Sequence, residues 1–492
     1  MKGKPFFAIP FLFFFILHSA FAQTQKPDTG LSVTKHLIVL ESGKTLNYTA
    51  TSGYLMLETE EGKARAKMFF TAYTKDNEAD LSKRPVTYTF NGGPGSSSVW
   101  LHMGALGPKR ILMADDGASL APPYKVVDNP YTWLEFTDLV FIDPVMTGFS
   151  RPAEGVDKKE FTGYNEDIES VGQFIHLYTT RYGRWLSPKY LAGESYGTTR
   201  AAGLSAHLIN RYGMFLNGIA LISQITNFQT ARFEKGNDLP YILFLPTYTA
   251  TAWYHKRLNP KYTDLEKLLD EVRAFAYGEY NLALTKGDKL DMAEKDKIAR
   301  RLSEYTGLSV EYIHQTRLRI NIQRFVKELR RSEGITVGRL DSRFTAVDYD
   351  DAGERNEFDP SYDATIYGPY TTALYDHLKR NLKVDIEIPY EILTGRVQPW
   401  NYNNVQNQYL NVSENLRQAM VKNPFMKVWI SNGYYDLATP FFASEYTIDH
   451  MMLPEALKKN ISMTYYKAGH MMYIDKKSLI DFSRDARNFY AK

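Results

Sequence analysis

The chain has 492 residues, 44% hydrophobic and 14% aromatic, which is ample material for a large folded core and excludes a disordered or fibrous protein. Lys and Arg total 59 against 56 Asp and Glu, a formal charge of +3; this provides no basic field for a phosphate backbone and sets nucleic acid aside as a partner. Cysteine is absent, so disulfides, thiolate metal sites and cysteine nucleophiles are excluded, and any nucleophile must be Ser, Thr, Lys or a carboxylate.

The first segment carries Lys2 and Lys4, an apolar run from Phe6 to Leu17, and Ala20-Phe21-Ala22 before Gln23. The run is shorter than the roughly 20 residues of an ordinary spanning helix, and small side chains occupy both cleavage subsites. Residues 1–22 therefore read as an export signal cleaved after Ala22, with an uncleaved anchor as the alternative. A large core needs no disulfides, and their absence in an exported chain suits a bacterial periplasmic or secreted protein.

From 31 to 91, short alternating runs such as Val86-Thr87-Tyr88-Thr89-Phe90, broken by Gly and charged clusters, predict an opening β meander. Compact apolar runs at 139–142, 190–192 and 219–222 then alternate with helical stretches, the pattern of buried parallel strands in βαβ units. Ile168, Val171, Phe174, Ile175 and Tyr178 recur at helical spacing and predict a helix over 164–182. A second helix is expected over about 198–210. The stretch 226–424 changes character, with basic helical segments and irregular Tyr-, Asn- and Pro-rich runs, and reads as an insertion. Strands at 427–430 and 463–466 and a helix at 477–490 resume the sheet. The predicted organisation is a core of 23–225 plus 425–492, interrupted by a cap at 226–424.

Gly193-Glu194-Ser195-Tyr196-Gly197 follows a predicted strand and precedes a predicted helix, the context that a G-x-S-x-G nucleophile elbow requires. A serine hydroxyl attacks an acyl carbon only when a base takes its proton, and the base needs an acid to orient it. In α/β hydrolases these follow in the order acid, then His, each after a late strand. Asp436 and His470 stand at those places. His450 falls within a predicted helix and reads as a helix-face residue; His36, His102, His176, His207, His255, His314 and His377 have no matching acid. Asn91-Gly92-Gly93-Pro94-Gly95 follows the strand at 86–90, and the amides of Gly93 and Tyr196 are the expected oxyanion donors. A phosphate-cradling loop fits poorly, because no G-K-[ST] follows and Pro94 lacks an N–H.

These motifs, with Ser96-Ser97-Ser98, Asp143-Pro144-Val145-Met146-Thr147-Gly148-Phe149-Ser150, Asn432-Gly433-Tyr434-Tyr435-Asp436 and Ala468-Gly469-His470-Met471, resemble the serine carboxypeptidase family. The resemblance implies an α/β-hydrolase fold, a mostly parallel sheet flanked by helices with a mainly helical cap. It further implies release of C-terminal amino acids from peptides through an acyl-enzyme on Ser195, His470 and Asp436. By the same resemblance Asn91 and Glu194 hold the substrate carboxylate, and Met471 lines the pocket of the leaving residue. Two carboxyl groups in contact repel unless one is protonated, so Glu194 is expected to have a raised pKa. The chain departs from the family at Thr89, where a Trp is usual, and at Ala105, where a second carboxylate-binding Glu is usual. Ser96-Ser97-Ser98 replaces a Cys-Ser-Ser.

An esterase or acyltransferase using the same triad is the competing enzyme class, and a catalytically silent binding protein is the competing class outside enzymes. No cofactor or metal is expected. The acidic stretch Asp348, Asp350, Asp351, Glu354, Glu357, Asp359 and Asp363 lacks calcium-loop spacing and reads as a solvated loop. The expected partner is a peptide, with no membrane contact after removal of the signal; a homodimer stays open.

Overall fold

The computed structural model describes residues 30–491, with Met1 and Gly3; the expected signal segment lies outside the described residues. Nine strands form the path of one sheet: β1 (Ser32–Val39), β2 (Thr45–Glu58), β3 (Ala64–Lys75), β4 (Val86–Phe90), β5 (Asp138–Ile142), β6 (Lys189–Ser195), β7 (Gly218–Gln224), β8 (Lys427–Gly433) and β9 (Ile461–Tyr466). Their spatial order is β1-β2-β3-β5-β4-β6-β7-β8-β9, and a short strand Arg151–Pro152 pairs on β3. The opening meander through β3 and its pairing to β5 are antiparallel; from β5 onward every neighbour is parallel. These are the parallel strands expected from the alternation of apolar runs and helices, in the α/β-hydrolase arrangement that the family resemblance implies.

The parallel strands are buried on both faces, which is why they read as continuous apolar runs. Along β5, Leu139 and Phe141 enter one apolar cluster while Val140 and Ile142 enter the other. One face is covered by helices α1 (Tyr164–Arg181) and α2 (Tyr196–Tyr212), which bring Phe174, Tyr178 and Leu204 to the sheet. On the other face Trp133 and Trp429 pack with Phe482 and Phe489 of the last long helix. Truncating a fully buried indole of this kind costs roughly 3–5 kcal/mol.

After β7 the chain leaves the sheet. Helices α3 (Leu239–Tyr254), α4 (Leu265–Phe275) and α5 (Met292–Thr306) share a third apolar cluster with Tyr434, Leu437 and Phe441. α3 carries apolar residues all round and is the buried axis of this unit.

Part of the segment expected as a cap packs on the core. α6 (Tyr367–Asp376) places Tyr370 and Leu374 in the core cluster with Trp100 and Met103, and Tyr390 and Ile392 follow them there. Isolated bridges Ser96–Leu393, Gly148–Glu391 and Gly163–Asn401 stitch the same segment onto core loops. α7 (Ser413–Lys422) packs Leu416, Ala419 and Met420 into the cluster that α2 covers. So the chain rejoins the core well before residue 424, because large apolar side chains in irregular backbone find the core without forming strands. α8 (Phe441–Asp449) and α9 (Lys476–Tyr490) complete the fold. No helix among the described residues is long and apolar enough to cross a membrane.

Candidate active site

Ser195 ends β6 and caps α2, with φ 60° and ψ −128°. A non-glycine residue in this region is strained and persists only where its surroundings hold it. The flanking glycines provide the space. A Cβ on Gly193 would lie 2.1 Å from the Gly197 carbonyl oxygen, and one on Gly197 would lie 2.8 Å from the Phe90 carbonyl oxygen. The turn is therefore closed by glycine against glycine, and α2 is pressed onto the end of β4. On the same side a Cβ on Gly92 would meet the Tyr196 nitrogen at 2.4 Å, so the loop after β4 lies directly over the start of α2.

Asp436 stands in the turn after β8 and is fully buried. Its Oδ1 accepts from the amides of Ala438 at 2.8 Å and Thr439 at 3.0 Å, while Oδ2 accepts from the Thr439 hydroxyl at 2.6 Å. Oδ2 also meets His470 Nδ1 at 2.7 Å. With Nδ1 engaged, Nε2 is the ring atom left for a substrate or nucleophile. His470 lies in the loop after β9; its amide donates to the Leu340 carbonyl at 2.7 Å, and its carbonyl accepts from the Ser223 hydroxyl at 2.6 Å. Burial draws its pKa down, but the Asp436 carboxylate outweighs burial and the imidazole sits above its ordinary value.

Ser195 and His470 line one cavity of about 410 Å³, together with Gly93, Glu194, Tyr196 and Met471. Tyr196 opens α2, where an N–H has no acceptor inside the helix. Gly93 has φ +102°, and it lines the cavity with Tyr196 and Ser195. Met471 is buried in the wall next to His470.

Asn91 and Glu194 are brought together: Asn91 Nδ2 donates to Glu194 Oε1 at 2.8 Å. Asn91 is itself held, its Oδ1 accepting from the Leu101 amide at 3.2 Å and its carbonyl from Arg200 Nη1 at 2.6 Å. Arg200 is buried and paired with buried Asp167 at 2.8 Å. Burial pushes the Glu194 carboxyl up to about 7, against the opposing pull of the nearby His470. The second oxygen of Glu194 accepts from Tyr473 OH at 2.6 Å. Sequence reasoning missed Tyr473; its only signal was its place three residues beyond His470. Ala105 is buried in the turn His102–Leu106 and Thr89 within β4, where its hydroxyl has no hydrogen-bond partner.

The remaining histidines fall elsewhere. His450 is exposed at the end of α8 and stacks on Tyr446. His102 and His377 are buried around Tyr73 OH, at 2.7 and 2.8 Å. His314 does have an acid, Asp296 at 3.2 Å, at the protein surface and outside the cavity. The acidic stretch is more tied down than a solvated loop. Asp348 is buried against Lys327 at 2.8 Å and Glu354 pairs with Arg324 at 2.5 Å. Among the described residues no group of acidic and histidine side chains could hold a metal ion.

The family model of the serine carboxypeptidases matches residues 41–484. Over 155 residues the chain is 32% identical to carboxypeptidase Y of Saccharomyces cerevisiae, covering 30% of this chain and 25% of that protein. It is 29% identical over 160 residues to serine carboxypeptidase 1 of Hordeum vulgare, covering 32% of this chain and 30% of that one. The aligned parts thus span under a third of these relatives' own length. The crystal structure of a prohormone-processing carboxypeptidase from Saccharomyces cerevisiae shares the fold, with a TM-score of 0.55 over 90% of this chain and 91% of that one at 17% identity. With a strained serine, a buried His–Asp pair and a family match that runs from the second strand into the last helix, the chain belongs to the serine carboxypeptidase family.

Proposed function

We propose that the protein is an exported serine carboxypeptidase that releases C-terminal amino acids from peptides. Ser195 Oγ attacks the terminal peptide carbonyl and its proton passes to His470 Nε2. The developing oxyanion is met by the amides of Gly93 and Tyr196, and the imidazolium is stabilised by Asp436. His470 then donates the proton to the departing amine, and water repeats the sequence on the acyl-enzyme. Export rests on the leader-like sequence of residues 1–22, and the absence of cysteine is the reason for placing the protein in a bacterial periplasm or outside the cell.

The observation that carries the reading is the carboxyl of Glu194, next in sequence to the nucleophile, with a pKa raised to about 7. Kept neutral, it donates a hydrogen bond to a substrate carboxylate that an ionised side chain would repel. Asn91 orients it, and Met471 borders the space for the released residue. An esterase has no use for a neutral acid at this point.

The test is a blocked dipeptide compared with its C-terminal amide and with an ester of the same acyl group. Cleavage of the free acid, strongest below about pH 7, supports the carboxypeptidase. Equal cleavage of ester and amide with no preference for the acid would instead support an esterase or acyltransferase, a reading favoured by Thr89 and Ala105.

A further inference from the structure

One residue of the cavity touches the chemistry above only at a distance, its charge drawing the pKa of His470 down. Arg339 lies on the strip of chain that packs against both late catalytic loops: its carbonyl accepts from the Leu437 amide at 3.0 Å, and the next residue, Leu340, accepts from the His470 amide at 2.7 Å. Its guanidinium is 42% exposed, and among the described residues that line the cavity it is the sole permanent cation. Among the described residues it makes no side-chain hydrogen bond, and its one ionic neighbour, Asp359 Oδ2, is 3.9 Å from Nε. That is too long for a hydrogen bond.

Asp359 is in contrast committed through one of its two oxygens. Its Oδ1 accepts from the amides of Arg339 and Ser361, each at 3.0 Å, and from the Ser361 hydroxyl at 2.5 Å. Its Oδ2 is buried and has no hydrogen-bond partner. Both residues line the cavity, but the Arg339 side chain is the more exposed, 42% against 17% for Asp359, so the guanidinium is the charge a ligand meets more readily. The turn that Asp359 caps carries Tyr362 and Ile366, which also line the cavity. Tyr362 packs on Trp100 with ring centroids 6.0 Å apart, an apolar part of the same cavity lining, and the bond from the His470 amide to Leu340 sets the strip that carries Arg339 against the residue next to Met471.

We infer that Arg339 is a specificity-determining residue that favours peptides whose released residue carries an acidic side chain. The inference rests on the carboxypeptidase reading. The guanidinium offers an unspent fork of donors that matches a carboxylate, and Asp359 fixes its place from behind. A basic side chain would be repelled by the guanidinium's charge. Removing Arg339 uncovers Asp359, so the preference should reverse and not merely fade.

The experiment compares kcat/KM for three blocked dipeptides ending in Glu, Gln or Lys at about pH 6, where a Glu side chain is ionised. The wild type should favour Glu over Gln by about fivefold, the scale of a charge-assisted contact that is partly exposed. In Arg339→Gln that ratio should fall to about one, through KM, and Lys should overtake Glu. A purely structural role would scale the three substrates together and leave their ratios alone. Should the variant fail to fold, raising salt on the wild type must shrink the Glu-to-Gln ratio. An equal Glu-to-Gln ratio in the wild type, a preference untouched by Arg339→Gln or by salt, or an acidic preference on the acyl side of the cleaved bond would each overturn the inference. Failure to cleave even the Gln dipeptide would overturn the carboxypeptidase reading itself, and this inference with it.

Discussion

Glu194 and His470 each shift the other's proton: the imidazole lowers the carboxyl's pKa, and the carboxylate raises the imidazole's. A proton on Glu194 therefore removes the anion that would help charge His470. The protonation state needed to bind a free carboxylate and the one needed to deprotonate Ser195 support each other, and the two groups titrate as a pair.

Replacing Glu194 by Gln should remove the rise in KM that peptides show as pH increases through about 7. It should leave the acid limb in place, because Glu194 is already protonated there and the amide replaces a neutral neighbour of His470. The sign for stability follows from linkage. The folded pKa of about 7 lies above the ordinary value of 4.5, so the folded state binds the proton more tightly. The contribution of this group to stability is then full below about pH 4.5 and is lost, by roughly 3 kcal/mol, as pH rises to about 7. Urea melts of wild type and variant across that range measure the difference, and parallel pH curves would refute the proposed burial of the charge.

Tyr473→Phe removes the hydroxyl that donates to Glu194 Oε2. This bond stabilises the ionised form, so its loss should move the alkaline limb of peptide cleavage upward. A limb that moves down, or stays in place, would mean that Tyr473 does not hold the carboxylate.

Asp436→Asn should lower kcat by about 10⁴-fold while leaving the fold intact, because the amide cannot stabilise the imidazolium in the required tautomer. Rapid-quench measurement of acylation, with circular dichroism as the control for folding, decides it. Ser195→Ala should abolish turnover yet still bind a blocked dipeptide.

Gly193→Ala places a methyl 2.1 Å from the Gly197 carbonyl oxygen, and such a backbone collision should cost more than about 2 kcal/mol. Gly278→Ala is the control: it meets open space in a helical segment and should be neutral or stabilising by up to about 1 kcal/mol. Thermal melts that rank the two variants the other way would contradict the packed elbow.

Much of this site was legible because its parts have local signatures. A strand ending in glycine, any residue, serine, any residue and glycine can do little else than turn tightly into a helix, and Asp436 and His470 stand a few residues beyond apolar runs that could be read as late strands. Asn91 and Glu194 came through the family resemblance, and the structure adds the hydrogen bond between them. What was not legible depends on irregular chain. Tyr390 and Ile392 reach the core through buried side chains, and Leu393 reaches it through a single bridge to Ser96, a mode that leaves no period in the sequence. Arg339 and Tyr473 share that difficulty, since neither belongs to a motif and each acquires its meaning from neighbours distant in sequence.

The order in which the chain supplies the site has a cellular consequence. Ser195 arrives on β6, but its base and acid arrive only with β8, β9 and the loops after them. A nascent polypeptide still on the ribosome, or one clipped after α7, holds a nucleophile that nothing can activate. Translation order thus delays assembly of Ser195, Asp436 and His470 until synthesis has passed His470.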